Sequence, residues 1–153
     1  MKKTLLAVMA VLMMSVMLIA GCSSGEEAAP AADKKSGTTT IGFSISTLNN
    51  PFFVSVKDGV EAKAKELGVN VKIVDAQNDP AKQANDVADL LQQGVSVLLV
   101  NPVDSAAIST SVEAANKAKL PVIALDRSAD KGTIASLVAS DNVKGGEMAA
   151  EYI

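Results

Sequence analysis

The sequence predicts an α/β fold in which helices cover both faces of a parallel sheet, the three-layer αβα arrangement. From Ile41 onward, short apolar runs alternate with amphipathic stretches of helical period, and the connections between them are short. Residues 95–100 are apolar at every position except Ser96, which is typical of a strand buried on both faces. Asn50-Pro51 and Asp79-Pro80 each combine a helix-capping residue with a proline suited to the first helical turn.

Five strands and four helices are predicted in alternation. The strands are expected at residues 41–46, 69–74, 95–100, 121–125 and 133–139. The first helix should end at Gly68, with an inward stripe of Phe53, Val56, Val60, Ala64 and Leu67. The second should end before Gly94, with an inward stripe of Ala84, Val87, Ala88 and Leu91. A third is expected at 105–119 with Ile108, Val112 and Ala115 inward, and a fourth begins near Asn142.

The residue content excludes several kinds of chemistry. There is no histidine and only one cysteine, so Ser-His-Asp and Cys-His catalysis, the common zinc sites and an intrachain disulfide are all excluded. The net charge of -3, without a basic cluster, argues against a nucleic-acid partner. No phosphate-cradling glycine motif follows the first strand. We therefore expect a ligand-binding protein that is not an enzyme and uses neither a cofactor nor a metal.

The first forty residues have the composition of a leader and a tether. Lys2 and Lys3 precede an apolar run at 5–20, which is shorter than the ~20 apolar residues of a membrane-spanning helix. Residues 18–22 (Leu-Ile-Ala-Gly-Cys) resemble the bacterial lipobox, which predicts a signal peptide at 1–21 and lipidation at Cys22. The alternative is a plain secretory leader with an incidental cysteine. Residues 22–40 are small and polar, which predicts a flexible tether that holds the protein outside the cytoplasm on the bacterial cell membrane.

Polar residues follow each predicted strand, at the sheet edge where open α/β sheets bind ligands. They lie at 46–50, 75–79, 101–104, 126–127 and 140–142. Phe52 is outside the inward stripe and suits stacking on the apolar face of a sugar ring, whereas packing alone could explain Phe53. Asp126 could accept and Arg127 could donate charge-assisted hydrogen bonds with sugar hydroxyls, or the two could simply form a solvated ion pair.

Four segments together resemble the ribose-binding proteins. They are residues 46–54 (Ser-Thr-Leu-Asn-Asn-Pro-Phe-Phe-Val), 101–105 (Asn-Pro-Val-Asp-Ser), 125–127 (Leu-Asp-Arg) and 139–142 (Ala-Ser-Asp-Asn). The resemblance covers 41–153 and implies a type I periplasmic-binding-protein fold, whose two lobes close around one pentose. It implies an N-terminal sugar-binding lobe at 41–140 and the first helix of a truncated second lobe at 141–153, with the rest of that lobe absent.

The resemblance also implies the ligand, the partners and the contact residues. The ligand would be a monosaccharide, with D-ribose expected, and the partners would be an ABC permease and its ATPase. The implied sugar contacts are Asn50, Phe52, Phe53, Asp126 and Arg127, and residues lining the pocket beside them would be Asn101 and Ser140.

Other functions share this expected fold. A sugar-responsive transcription regulator would need a basic helix-turn-helix headpiece, and the lipobox leader stands in its place. One alternative function is presentation of sugar to a chemoreceptor or sensor kinase. Another is binding of galactose, allose, xylose or inositol in place of ribose. An enzyme acting on sugars is the weakest alternative, because no general acid/base pair is evident.

Overall fold

The structure, a computed structural model, describes residues 39–153, so the predictions for the signal peptide, Cys22 and most of the tether lie outside the described residues. The described part contains one parallel sheet with the strand order β2-β1-β3-β4-β5. Its strands are β1 (Thr40–Ile45), β2 (Asn70–Asp75), β3 (Val97–Val100), β4 (Val122–Leu125) and β5 (Ser136–Val138). The helices are α1 (Pro51–Leu67), α2 (Pro80–Gln92), α3 (Ser109–Lys117) and α4 (Asn142–Tyr152).

The order of the strands explains why helices lie on both faces of the sheet. The chain passes from β1 to β2 in one direction and then returns past β1 to β3. Because parallel crossovers are right-handed, α1 is placed on one face and α2 and α3 on the other. The contacts agree with this arrangement, since α2 packs against α3, β1 and β2, while α1 packs chiefly against β2. The predicted αβα architecture is confirmed.

The main hydrophobic core lies between the sheet and the α2/α3 pair. It consists of buried apolar residues from α2, β3, α3, β4 and the connections before β3 and α3: Val87, Leu90, Val95, Leu98, Val100, Ile108, Val112, Ala115 and Val122. On the opposite face, Phe43 and Ile45 of β1 are fully buried, and Phe43 lies beside Ile73 of β2 and Leu99 of β3. Full burial of one such side chain contributes about 1.5–3 kcal/mol, so these two layers hold the sheet together.

Helix α1 begins and ends as predicted, but its buried face is narrower. The Asn50 side chain caps the helix by accepting a hydrogen bond from the Phe52 N–H at 2.9 Å, and Gly68 ends it with a left-handed φ of 66°. Ala64 is the buried residue of this helix, whereas Leu67 is 61% exposed. The prediction that Leu67 faces the core was wrong. Because α1 packs chiefly on the edge strand β2, only a narrow strip of the helix has sheet beneath it.

Helix α2 buries a different face from the one predicted. The Asp79 carboxylate caps the helix through the N–H groups of Ala81 and Lys82, as the Asp-Pro pair predicted. The buried residues are Gln83, Val87 and Leu90, while Ala88 is exposed and Ala84 and Leu91 are half-buried. The face is therefore rotated toward Gln83. A glutamine can occupy the interior here because its amide is hydrogen-bonded there.

Several element boundaries differ from the sequence prediction. Strand β5 has three residues instead of the predicted seven at 133–139, and α3 begins at Ser109 instead of 105. Residues before α3 form turns in which the Asp104 carboxylate accepts a hydrogen bond from the Ala107 N–H at 2.7 Å. Helix α4 starts at the Asp141 cap, and all of its residues are exposed. Over residues 39–153 no helix is both long and apolar enough to cross a membrane.

Candidate functional site

The carboxyl ends of the strands meet at a cavity of about 280 Å³. The residues that line it come from the start of α1 and from the ends of β3, β4 and β5: Phe52, Phe53, Val56, Asn101, Leu125, Asp126, Val138, Ala139 and Ser140. Six of these are apolar and three are polar. An apolar wall with a few polar groups at fixed positions is typical of small-molecule sites.

The first turn of α1 supplies the aromatic wall. Phe52 and Phe53 are in an edge-to-face arrangement, with ring centroids 5.2 Å apart and planes at 67°. Phe52 is 53% exposed, although aromatic rings of this size are usually buried. The Asn50 cap and Pro51 fix the start of the helix, and thereby fix where both rings stand. One apolar ring face is therefore open to a ligand beside polar groups.

Asp126 supplies a carboxylate at the end of β4. Its backbone has φ of 64°, in the left-handed region, and its N–H donates to the Val138 carbonyl at 2.8 Å. Aspartate tolerates this conformation better than most residues, because its short side chain can bond locally. Within residues 39–153 no hydrogen bond or ion pair engages the carboxylate itself. The cavity therefore contains an exposed carboxylate whose oxygens can accept hydrogen bonds from a ligand.

Arg127, the single arginine in the sequence, borders this cavity without lining it. Its Nη1 donates to the Pro102 carbonyl at 3.1 Å and also to the Val103 carbonyl. None of the ion pairs among the described residues includes Asp126 or Arg127, so the solvated ion pair considered for them does not form. The guanidinium is anchored by one nitrogen, and its other nitrogens have no partner within residues 39–153.

Asn101 is only 1% exposed, and its side chain connects three strand ends. Its Oδ1 accepts hydrogen bonds from the N–H and the hydroxyl of Ser46, at 3.2 and 2.5 Å. Its Nδ2 donates to the Leu125 carbonyl at 3.0 Å. Asn101 therefore forms the floor of the cavity and ties β3 to the ends of β1 and β4.

The structure brings five of the seven predicted site residues to one cavity: Phe52, Phe53, Asn101, Asp126 and Ser140. Asn50 and Arg127 lie next to these residues in the chain but do not line the cavity. Val56, Leu125, Val138 and Ala139 also line it and were not predicted. Val56 could have been found one helical turn after Phe52, whereas the pairing of Leu125 with Val138 depends on strand order.

The charged side chains of residues 39–153 form no second candidate site. Between residues 39 and 153, no cluster of three or more Cys, His, Asp or Glu side chains could hold a metal ion. The hydrogen bonds that Lys57 donates to the carboxylates of Glu61 and Asp58 raise the pKa of Lys57 above its usual value, and this side chain lies outside the cavity. The electrostatic character of the cavity is therefore set by Asp126.

Comparison with known proteins identifies the family. The profile of the periplasmic binding protein domain matches residues 41–153. The chain belongs to this family. Within it, the ribose import binding protein of Bacillus subtilis is 56% identical over 149 residues. That match covers 96% of this chain and 49% of the relative, so the chain spans about half the length of that protein.

Solved structures share the fold of this periplasmic binding protein domain. The Caulobacter myo-inositol binding protein, bound to myo-inositol, has a TM-score of 0.72 and 34% identity over 77% of this chain and 40% of that one. The fructose-binding periplasmic domain of the hybrid two-component system BT1754 has a TM-score of 0.69 and 27% identity over 74% of this chain and 38% of that one. The parallel sheet and the helices that pack on it form one lobe of the type I fold.

Proposed function

We propose that this chain belongs to an extracytoplasmic sugar-binding protein that takes up D-ribose for an ABC importer. The cavity at the strand ends carries the proposal, since it combines an exposed aromatic face with an unpaired carboxylate. Aromatic faces pack against the C–H face of a sugar ring, and a carboxylate accepts strong hydrogen bonds from its hydroxyls. The 56% identity to a protein named as a ribose import binding protein supports ribose as the sugar.

The proposed mechanism is binding without chemistry. Residues 41–140 act as the first lobe, and 141–153 begin the second lobe of the complete protein. The sugar would lie against Phe52 and Phe53 and accept or donate bonds at Asp126, Ser140, Asn50 and Arg127. An open protein samples closure, and a sugar that touches both lobes stabilises the closed state. The permease and its ATPase would receive the closed complex.

Calorimetric titration of the full-length protein, without residues 1–21, tests the ligand. We expect micromolar or tighter binding of D-ribose, and weaker binding of galactose, allose, xylose and myo-inositol. Tight binding of another sugar would keep the transport role and overturn the specificity. If no monosaccharide binds, the proposal fails. The control is Asp130→Asn, which removes an exposed carboxylate four residues beyond Asp126 and should leave the affinity unchanged.

The membrane anchor is a separate part of the proposal. We propose that residues 1–21 are cleaved and that Cys22 carries the lipid, with 22–40 as the tether. The match to the Bacillus subtilis protein covers 96% of the chain and therefore extends into this region, which supports a shared leader. Cys22→Ser should release the protein from the membrane fraction and prevent incorporation of labelled fatty acid. A variant that stays labelled and membrane-bound would contradict the assignment.

A sensing role is the second candidate. The similarity to the fructose-binding periplasmic domain of a hybrid two-component system supports it. Under this alternative, the loaded protein would signal to a chemoreceptor or sensor kinase. Deleting the permease separates the two roles. A sugar response that persists without the permease favours sensing. If the response disappears together with sugar uptake, transport is favoured.

A further inference from the structure

A buried glutamine lies behind the cavity and has no role in the proposed sugar contacts. Gln83 is 1% exposed and faces inward from the first turns of α2. Its Nε2 donates to the Ser44 hydroxyl at 3.2 Å and to the Asn101 carbonyl at 2.9 Å. Its Oε1 accepts from the Val103 N–H at 2.9 Å. A buried amide is favourable only when its polar atoms are paired, and here both are paired.

These bonds hold both ends of one short turn. The turn consists of residues 101–103 and follows β3. The Gln83 amide donates to the carbonyl of Asn101, at the start of the turn, and accepts from the N–H of Val103, at its end. The side chain of Asn101 in turn reaches the Leu125 carbonyl, directly before Asp126. Displacement of this turn would therefore move the floor of the cavity.

The same turn is where Arg127 docks. The two carbonyls that accept from Arg127 Nη1 belong to Pro102 and Val103. The peptide unit between Pro102 and Val103 is shared, since its N–H donates to Gln83 and its carbonyl accepts from the guanidinium. No other described residue bonds the Arg127 side chain. The orientation of this side chain therefore depends on the position of the turn.

We propose that Gln83 is a positioning residue, which bonds the 101–103 turn so that the turn holds the Arg127 guanidinium at the rim of the cavity. The inference rests on the proposed function, because Arg127 is assigned there to the sugar. Gln83 itself does not line the cavity. Its influence on binding must pass through Arg127 and the turn.

The test is Gln83→Met in the full-length protein, a change that keeps the length of the side chain and removes its hydrogen bonds. Without these bonds the turn and Arg127 must be ordered when the sugar binds, so we expect ribose affinity to fall about 5- to 30-fold, which corresponds to about 1–2 kcal/mol. The control is Val87→Ala, one turn further along α2 and fully buried. It should lower the denaturant midpoint and leave the affinity unchanged.

A double-mutant cycle separates positioning from general damage. The partner substitution is Arg127→Lys, chosen so that binding stays measurable. If Gln83 acts through Arg127, Gln83→Met should weaken binding much less in the Arg127→Lys background than in the native one. An equal loss in both backgrounds overturns the proposal, as does an unchanged affinity in Gln83→Met alone.

A measurement without sugar distinguishes this inference from the proposed function. Nitrogen-15 NMR of the arginine side chains, with the Arg127 signal assigned by its loss in Arg127→Lys, reports how freely the guanidinium rotates. We expect restricted rotation in the native protein and in Val87→Ala, and faster rotation in Gln83→Met. Restricted rotation in all three overturns the positioning role, even if ribose binds. Failure of the native protein to bind any sugar would instead overturn the proposed function.

Discussion

Asp126→Asn is expected to weaken ribose binding by about 10- to 100-fold, because a hydrogen bond to a charged group contributes about 1.5–3 kcal/mol. Asparagine keeps the size of the side chain and tolerates the left-handed φ of 64°. The change therefore removes the charge without moving the backbone. Asp126→Ala and Arg127→Ala, which remove whole polar groups, should abolish tight binding. Calorimetric titration of each full-length variant measures the loss.

The matched control for this charge is Asp130→Asn, in the same exposed loop and outside the cavity. It makes the same change in net charge and should bind ribose as the native protein does. Equal weakening in both variants would indicate a general effect of charge, and undiminished affinity in Asp126→Asn would refute the assignment of this carboxylate.

Phe43→Ala and Phe52→Ala should affect different properties, the first stability and the second ribose binding. Phe43 is fully buried in the central part of the sheet, so Phe43→Ala should lower the free energy of unfolding by about 3–5 kcal/mol. Phe52 is 53% exposed, so Phe52→Ala should change that free energy by less than about 1 kcal/mol and weaken ribose binding instead. Urea unfolding and sugar titration of the full-length variants measure the two quantities.

The pair serves as its own control, since the two substitutions are chemically identical. A large loss of stability in Phe52→Ala would mean that this ring belongs to the core and not to the site. Native affinity in a stable Phe52→Ala protein would remove the ring from the proposed sugar contacts.

Much of the fold could be predicted because its signals are local. Cap-proline pairs at Asn50 and Asp79 and the apolar strands gave the αβα class and the order of the elements. The errors concern which side chains of a helix are buried, because tertiary packing determines this. Leu67 continues the helical period of α1 but extends beyond the sheet beneath it, and Gln83 interrupts an apolar pattern yet is buried. Neither outcome is visible from one helix alone.

The site was predicted in part for the same reason. The rule that ligands bind at the carboxyl ends of parallel strands directed attention to Asn101, Asp126 and Ser140, and these residues do share a cavity. The direction of the Arg127 side chain was not predictable, because it depends on the turn that follows β3. That turn lies next to Arg127 only because β3 and β4 are neighbours in the sheet, and no local sequence pattern specifies this strand order.

The left-handed backbone of Asp126 restricts which side chains can occupy this position of the cavity during evolution. Glycine, asparagine and aspartate adopt such a φ at least cost, whereas bulky and β-branched residues are strongly disfavoured there. Natural variation at this position should therefore be confined to a carboxylate, an amide or no side chain. Phe52 and Ser140 have ordinary backbone angles and carry no such restriction. Shifts in sugar preference among descendants should accumulate at those two positions first.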